Sequence, residues 1–437
     1  MEASNYRPIS ILPILSKIFE TIVNKQLIHF LEKNHTLNDK QFGFRKKHST
    51  GLALADLVSD IADKLDNGFI TFGIFIDLRK AFDTINHDIL FHKLWHYGIR
   101  GLPLNWFKDY LSNRHQSVYI DNVHSSFLKI TCGVPQGSIL GPLLFLIYIN
   151  DIVNCTTKFD IRLFADDTNL FQFIKNNTVD LSLINNDFQR VCEWCSANKL
   201  TINIEKTKYM IIKTPQKSVN IEGALSMMGV NMERVFSTNY LGVSIDHHLK
   251  WKSHIEKVEK TLACKVGIIS QIRHFVPKFT LLLLYKSLIL PHITYCLEIW
   301  GNTYTSLLKP VFLLQKKIVR LITFSDFNAP TAPLFKQLGI LNIHSLAKFH
   351  TCLFTFDLIN NRYIHSVNHY LDEVPHNYPT RLAQSNNYYS PKTNLTLNQH
   401  SIKFAATSHW NSLPIHLKNI TNRKSFSRAL KTYLSSI

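Results

Sequence analysis

Phe164-Ala165-Asp166-Asp167 sets two adjacent carboxylates between two apolar runs, residues 161–165 and 169–174. A third acid, Asp77, ends the uncharged run 69–76. Acids gathered at strand ends repel one another unless cations sit among them, and three can hold two divalent ions about 3.5 to 4 Å apart. Two Mg²⁺ ions, or Mn²⁺ in their place, would activate a 3′-hydroxyl, steady the leaving oxygen and neutralise phosphate charge in an in-line displacement. For the Asp-Asp pair alone, the competing reading is a solvated turn.

Bringing these acids together requires particular elements. The run 69–76 lacks polar alternation and suits a central strand buried on both faces, while 161–165 and 169–174 suit two strands joined at the acidic turn. Apolar residues at helical spacing (Ile14, Ile18, Ile22, Leu27, Phe30, Leu31) predict a helix over 13–32, and a second helix over 49–65 follows a Ser49/Thr50 cap. Between them, loop 36–48 carries Gln41-Phe42-Gly43-Phe44-Arg45-Lys46-Lys47, a Gly-interrupted basic turn able to reach a triphosphate. Further helices are expected over 87–97 and 104–111, then a hairpin through 118–120 and 127–131. The segment Gly133-Val134-Pro135-Gln136-Gly137-Ser138-Ile139-Leu140-Gly141-Pro142 opens an apolar helix to residue 152, and Gly137 leaves space where a base pair could approach. A helix over 179–198 and short strands over 200–204, 210–212 and 240–245 complete the region before residue 250. Helices are then expected over 254–274, 278–290 and 307–323, followed by a tail rich in Asn, His, Ser and Thr.

The net charge of +18 is uneven. Residues 1–250 carry 27 Lys and Arg against 24 Asp and Glu, whereas residues 251–437 carry 22 against 7. Interleaved with Phe, Tyr, Trp and His, the C-terminal cations suit a phosphate backbone better than a membrane face, with a merely solvated surface as the alternative. Seven cysteines, an odd number, imply reduced thiols and a nuclear or cytoplasmic protein that is not secreted, and no signal peptide is evident. Cys192 and Cys195 form a lone CxxC, read as helix packing. Residues 131–150 are uncharged over a membrane span's length, but Pro135, Gly137 and Pro142 within them favour a buried loop and helix.

Taken in order, these segments resemble the reverse transcriptase of LINE-type, non-LTR, jockey-like retrotransposons. Asn5-Tyr6-Arg7-Pro8-Ile9-Ser10 through Lys17-Ile18-Phe19-Glu20 resembles the family's first block, and residues 41–50 its second. Phe75-Ile76-Asp77-Leu78-Arg79-Lys80-Ala81-Phe82-Asp83 resembles polymerase motif A, residues 133–145 motif B and residues 164–167 motif C. Trp194, Asn198, Leu200, Asn203 and Lys206-Thr207-Lys208 resemble motif D, and Tyr240-Leu241-Gly242 the primer-grip hairpin, motif E. The resemblance implies an α+β right-hand polymerase that adds dNTPs to a primer on an RNA template. Partial fingers would span 1–68, a palm of antiparallel sheet and helices 69–249 with a fingers segment near 113–132, a helical thumb 250–325, and a helical or irregular region 326–437. Asp77 and Asp166 would ligate the metals, with Asp167 the less directly ligated acid of the pair. Arg45 would meet the triphosphate, and Phe82 would lie beneath the incoming sugar unless it is ordinary core. Gln136 and Gly137 would line the nascent base pair, and Lys206 would approach the pyrophosphate unless it is a solvated loop lysine. Lys316, Lys317 and Arg320 head the basic surface expected to hold nucleic acid.

The chain opens a few residues before the first block, without an upstream endonuclease, and no RNase H set follows the thumb. His344, His350, His365 and His369 with Cys352 lack knuckle spacing. A truncated element fits that pattern. Two other readings stand beside the polymerase: a catalytically silent or domesticated nucleic-acid-binding remnant, and an intron-maturase or telomerase-like enzyme, for which no RNA-binding extension is visible.

Overall fold

In the computed structural model, which describes residues 9–363, 370–373 and 387–436, the uncharged run after residue 69 forms strand Ile70–Ile76, buried at every position. It is the middle strand of a five-stranded sheet ordered Glu233–Arg234, Lys208–Ile212, Ile70–Ile76, Asp167–Ile174, Asp160–Phe164. Aromatic rings pack its two sides: Phe72 stacks on Tyr209 at 5.4 Å and Phe75 meets Phe171 edge-on at 5.8 Å. Gly73 lets the Phe171 ring approach, since a Cβ there would stand 3.0 Å from it. Asp160–Phe164 and Asp167–Ile174 pair antiparallel, as expected. The two-residue edge strand Glu233–Arg234 runs parallel to Lys208–Ile212, so the sheet is mixed where an antiparallel one was expected.

The chain forms two compact units, one comprising Met1–Lys46, Phe72–Tyr209 and Ser218–Val235, the other Lys47–Thr71, Met210–Lys217 and Phe236–Ile437. The span 1–68, expected as one partial lobe, is thus divided between them. In the first unit, helix Gly141–Ile149 is buried at nearly every position, which accounts for its lack of charge. Among the described residues no helix is long and apolar enough to cross a membrane. The expected hairpin after residue 113 has a different register. Tyr119–Ile120 pairs with Val123–His124 and His115–Gln116 with Leu128–Lys129. Asp121 and Asn122, both at positive φ, make the tight two-residue turn that the right-handed strand twist favours.

In the second unit, Ser49 caps helix Thr50–Asp66 by accepting from the Leu52 amide at 3.1 Å. The described residues of the tail are largely helical, with Thr331–Leu338, Ile343–Ile359, Ile402–Asn411 and Arg423–Ser436. It packs within this unit: the Asp66 carboxylate accepts from the Leu395 amide at 2.7 Å, and Lys403 pairs with Asp63 at 3.3 Å. Leu241 and Gly242 (φ +47° and +82°) turn the chain into a hairpin of Ser237–Tyr240 and Val243–Asp246, the hairpin that the resemblance implied at Tyr240-Leu241-Gly242, and the strand expected over 240–245 is its second arm. Asn5, Tyr6, Arg7, Pro8, His365 and His369 lie outside the described residues.

Candidate active site

Asp77 leaves the end of the central strand and is held by the segment that follows helix Leu181–Ala197. The Asn203 amide donates to the Asp77 carbonyl at 2.7 Å, and Asn203 Nδ2 donates to Asp77 Oδ2 at 3.0 Å. Leu78 bridges Ile202, and the Arg79 amide donates to the Thr201 carbonyl at 2.8 Å. The segment 200–204, expected as a strand, forms only this isolated bridge among the described residues. Lys206 Nζ stands 3.9 Å from Asp77 Oδ2, and both side chains remain open to solvent. One polar atom here is unsatisfied: Asn203 Oδ1 is buried without a hydrogen-bond partner.

The second acid, Asp166, sits in the turn between the paired strands, where Ala165 takes a left-handed conformation (φ +54°). Loop 36–48 fixes that turn. Gln41 bridges Leu163 in parallel, the Phe42 amide donates to the Leu163 carbonyl at 2.9 Å, and the Leu163 amide donates to the Lys40 carbonyl at 3.0 Å. Gln41 Oε1, itself buried, accepts from both the Gly43 amide at 2.8 Å and the Ala165 amide at 3.0 Å.

Asp77 and Asp166 line one cavity of about 1120 Å³ together with Phe44, Arg79, Lys80, Phe82, Asp83, Gln136, Gly137, Glu205 and Lys206. Phe82 stacks on Phe145 at 4.6 Å and meets Phe44 edge-on at 6.4 Å, so it packs against the core and also presents a ring to the cavity. Gln136 Nε2 donates to Asp83 at 2.8 Å, and the Gln136 carbonyl accepts from the Ser10 amide at 2.7 Å. Gly137 has φ +101°, and a Cβ there would stand 3.2 Å from the Ser10 carbonyl oxygen. The cavity thus unites Asp77, Asp166, Phe82, Gln136, Gly137 and Lys206 from four separated stretches of chain.

Two expected members stand elsewhere. Asp167 heads the second hairpin strand, exposed and outside the cavity lining. Arg45 is drawn into a forked ion pair, Nε and Nη2 each donating to the Glu32 carboxylate at 3.1 Å, while Nη1 donates to the Asn38 carbonyl at 2.7 Å. A planar guanidinium matches a carboxylate well enough to become a staple between helix Ile14–Lys33 and the loop. The exposed cations that do line the cavity, besides Lys206, are Arg79 and Lys80. Both follow Asp77 within three residues, and that proximity to the acid is the signal the sequence carries for them.

Within the second unit, the hairpin turn is tied down where the Tyr295 hydroxyl donates to the Leu241 carbonyl at 2.7 Å, and Tyr240 is buried. Lys309, Lys316, Lys317 and Arg320 line a separate cavity of about 600 Å³ on helix Thr305–Thr323, with Phe327 and Glu259. Lys316 lies over the Phe312 ring at 4.5 Å and Arg320 over Phe327 at 5.9 Å.

Residues 2–245 match the reverse transcriptase (RNA-dependent DNA polymerase) family model, and the chain belongs to that family. It is 28% identical over 360 residues to a "probable RNA-directed DNA polymerase from transposon X-element" of Drosophila melanogaster, covering 78% of this chain and 38% of that protein. It is also 28% identical over 354 residues to the RNA-directed DNA polymerase from mobile element jockey of the same fly, with the same two coverages. The jockey-like resemblance of the motifs is met in these relatives. The chain therefore spans under two-fifths of the length of the curated relatives it matches. Among solved structures it is similar to apo telomerase of Candida tropicalis, with a TM-score of 0.41 and 11% identity, covering 77% of this chain and 54% of that one.

Proposed function

We propose that this chain is an RNA-directed DNA polymerase of a non-LTR retrotransposon, extending a DNA primer along an RNA template with dNTPs. The observation that carries this reading is the meeting of Asp77 and Asp166 on one cavity lined also by Arg79, Lys80 and Lys206. Reverse transcriptases use divalent metal ions. No group of three His, Cys, Asp or Glu able to hold a metal stands among the described residues. Mg²⁺ takes oxygen ligands, commonly one or two carboxylates completed by substrate phosphates. Asp77 and Asp166 are the carboxylates offered.

In this reading Asp77 and Asp166 hold the cations, which when bound polarise the primer hydroxyl and the α-phosphate. Asn203 keeps the Asp77 carboxylate oriented. Arg79, Lys80 and Lys206 meet the triphosphate in place of Arg45. Phe82 offers its ring to the sugar, and Gln136 and Gly137 line the base pair. The five-stranded sheet serves as palm, helices from Lys252–Ile272 to Thr305–Thr323 serve as thumb, and the Tyr240-Leu241-Gly242 turn steadies the primer. The direct test is primer extension by the purified protein. A labelled DNA primer on RNA should lengthen with dNTPs and Mg²⁺ and stop lengthening under chelation. A folded protein that extends no primer under any such condition would overturn the assignment.

Two further results follow from named residues. If the half-buried Phe82 ring excludes a 2′-hydroxyl, Phe82→Val should raise ribonucleotide incorporation relative to dNTP by about 10- to 200-fold, the usual yield of one steric contact. An unchanged ratio in single-nucleotide kinetics would return Phe82 to core packing against Phe145. If the cavity on helix Thr305–Thr323 tracks phosphates, changing Lys316, Lys317 and Arg320 together to Gln should flatten the log K against log salt slope for primer-template by about 2. Equal slopes for variant and parent would make these cations a solvated surface.

A further inference from the structure

Glu20 lies on helix Ile14–Lys33, where Ile14, Leu15, Ile18, Phe19 and Ile22 are exposed, yet Glu20 itself is 1% exposed. Both of its carboxylate oxygens are engaged. Oε2 accepts from the Ile139 amide at 2.7 Å and the Leu140 amide at 3.4 Å. Oε1 accepts from the Tyr110 hydroxyl at 3.0 Å and the Ser16 hydroxyl at 3.3 Å. Tyr110 is held flat on Trp106, with ring centroids 5.3 Å apart at 7°. Taking a carboxylate out of water is costly unless it is fully hydrogen-bonded, and bonds from N–H and O–H donors to an ionised oxygen are among the stronger ones.

The amides that Glu20 receives belong to the turn that enters helix Gly141–Ile149, where backbone N–H groups lack partners within the helix. The next amide, of Gly141, is satisfied by the Ser138 hydroxyl at 2.9 Å, and that hydroxyl donates in turn to the Pro135 carbonyl at 2.8 Å. Upstream, Ser10 and Asp83 hold Gln136. The bonds at Gln136, Ile139, Leu140 and Gly141 together hold a turn whose exposed point, Gly137, borders the cavity.

We propose that Glu20 is a positioning residue for nucleotide selection: through the Ile139 and Leu140 amides it sets where Gln136 and Gly137 meet the nascent base pair, without touching substrate itself. The inference rests on the polymerase reading above. Without the carboxylate the turn keeps its Ser10 and Ser138 ties but loses its deepest anchor, so loosening should show in dNTP affinity and base-pair fidelity before turnover.

The test compares Glu20→Ala and Glu20→Gln with Leu27→Ala, which removes a buried side chain from the same helix away from the turn. Glu20→Ala should raise the KM for dNTP about tenfold and increase extension of mismatched primer ends, with kcat at saturating dNTP within about threefold of parent. Glu20→Gln keeps one acceptor oxygen and should raise KM only a few-fold. Leu27→Ala should lower Tm and leave KM unmoved. Hydrogen exchange of the peptide covering 136–141 should speed in Glu20→Ala and not in Leu27→Ala.

An unchanged KM in folded Glu20→Ala, or an unchanged exchange rate over 136–141, overturns the proposal. If Glu20→Ala does not fold, Glu20→Gln decides, and a parental KM in that variant overturns it equally. A parent protein that extends no primer sinks the polymerase reading instead, and the exchange measurement then still decides whether Glu20 holds the turn.

Discussion

Asp77→Asn should extend primers at least about a thousandfold more slowly than the parent in single-turnover assays, the equivalent of roughly 4 kcal/mol of transition-state stabilisation. An amide fills the same space and can still accept from Asn203 Nδ2, which lies 3.0 Å from the present carboxylate oxygen, so the segment around residue 203 should hold its place. What disappears is the charge, and a neutral oxygen binds Mg²⁺ poorly. Asp166→Asn should behave alike, because Asp166 shares the cavity. Asp167→Asn should lose far less, since that side chain is exposed and outside the lining. Primer-template affinity, read by anisotropy without dNTP, should change little in all three, because Lys316, Lys317 and Arg320 are untouched. Extension by Asp77→Asn at near the parental rate would remove Asp77 from the metal site, whatever Asp166 does.

The elements that carry these acids were legible because their signals are local. An uncharged run of seven or eight residues rich in β-branched and aromatic side chains suits a strand buried on both sides, and Ile70–Ile76 is one. Ser49 before an apolar periodic stretch reads as a cap, and its side chain accepts the Leu52 amide. Illegible features depend on partners distant in the chain. Arg45, Lys46 and Lys47 look alike on a loop, and only the fold brings Glu32 under Arg45 to make it an internal staple. Arg79 and Lys80 follow Asp77 closely in the sequence, but nothing local says which way they point, and only the fold turns them to the cavity. Residues 200–204 have strand composition but meet the central strand's end at a single bridge, Leu78 to Ile202. The tail carried scattered apolar positions whose order appears only once Leu395 and Lys403 find the end of helix Thr50–Asp66. The role of Glu20 is likewise hidden in the sequence. A carboxylate between Phe19 and Thr21 on an expected helix looks solvent-facing until Ile139 is placed above it.

Gly43→Ala should lower kcat by about a hundredfold while leaving primer-template affinity nearly intact, although Gly43 is not itself assigned to the chemistry. A Cβ at Gly43 would stand 2.4 Å from the Ala165 backbone nitrogen and 3.0 Å from its Cα. Those are main-chain atoms and cannot swing aside like a side-chain tip, so either the loop or the acidic turn must move. The loop is poorly able to, since it is zipped to Leu163 on both sides and Gln41 Oε1 clamps Gly43 and Ala165 together. The turn is the softer party: Ala165 already holds a left-handed conformation, and its neighbour is Asp166. A displacement of about 1 Å at a reacting group typically costs on the order of a hundredfold, whereas overpacking of this kind costs about 1 to 3 kcal/mol of stability. Gly68→Ala separates the two effects. Gly68 has φ +78° with nothing within 4 Å of a would-be Cβ, so substitution there strains the backbone and should lower Tm while kcat stays parental. A Gly43→Ala protein with lowered Tm and parental kcat would show that the strain relaxes away from Asp166, and the loop's hold on the catalytic turn would then be a matter of stability alone.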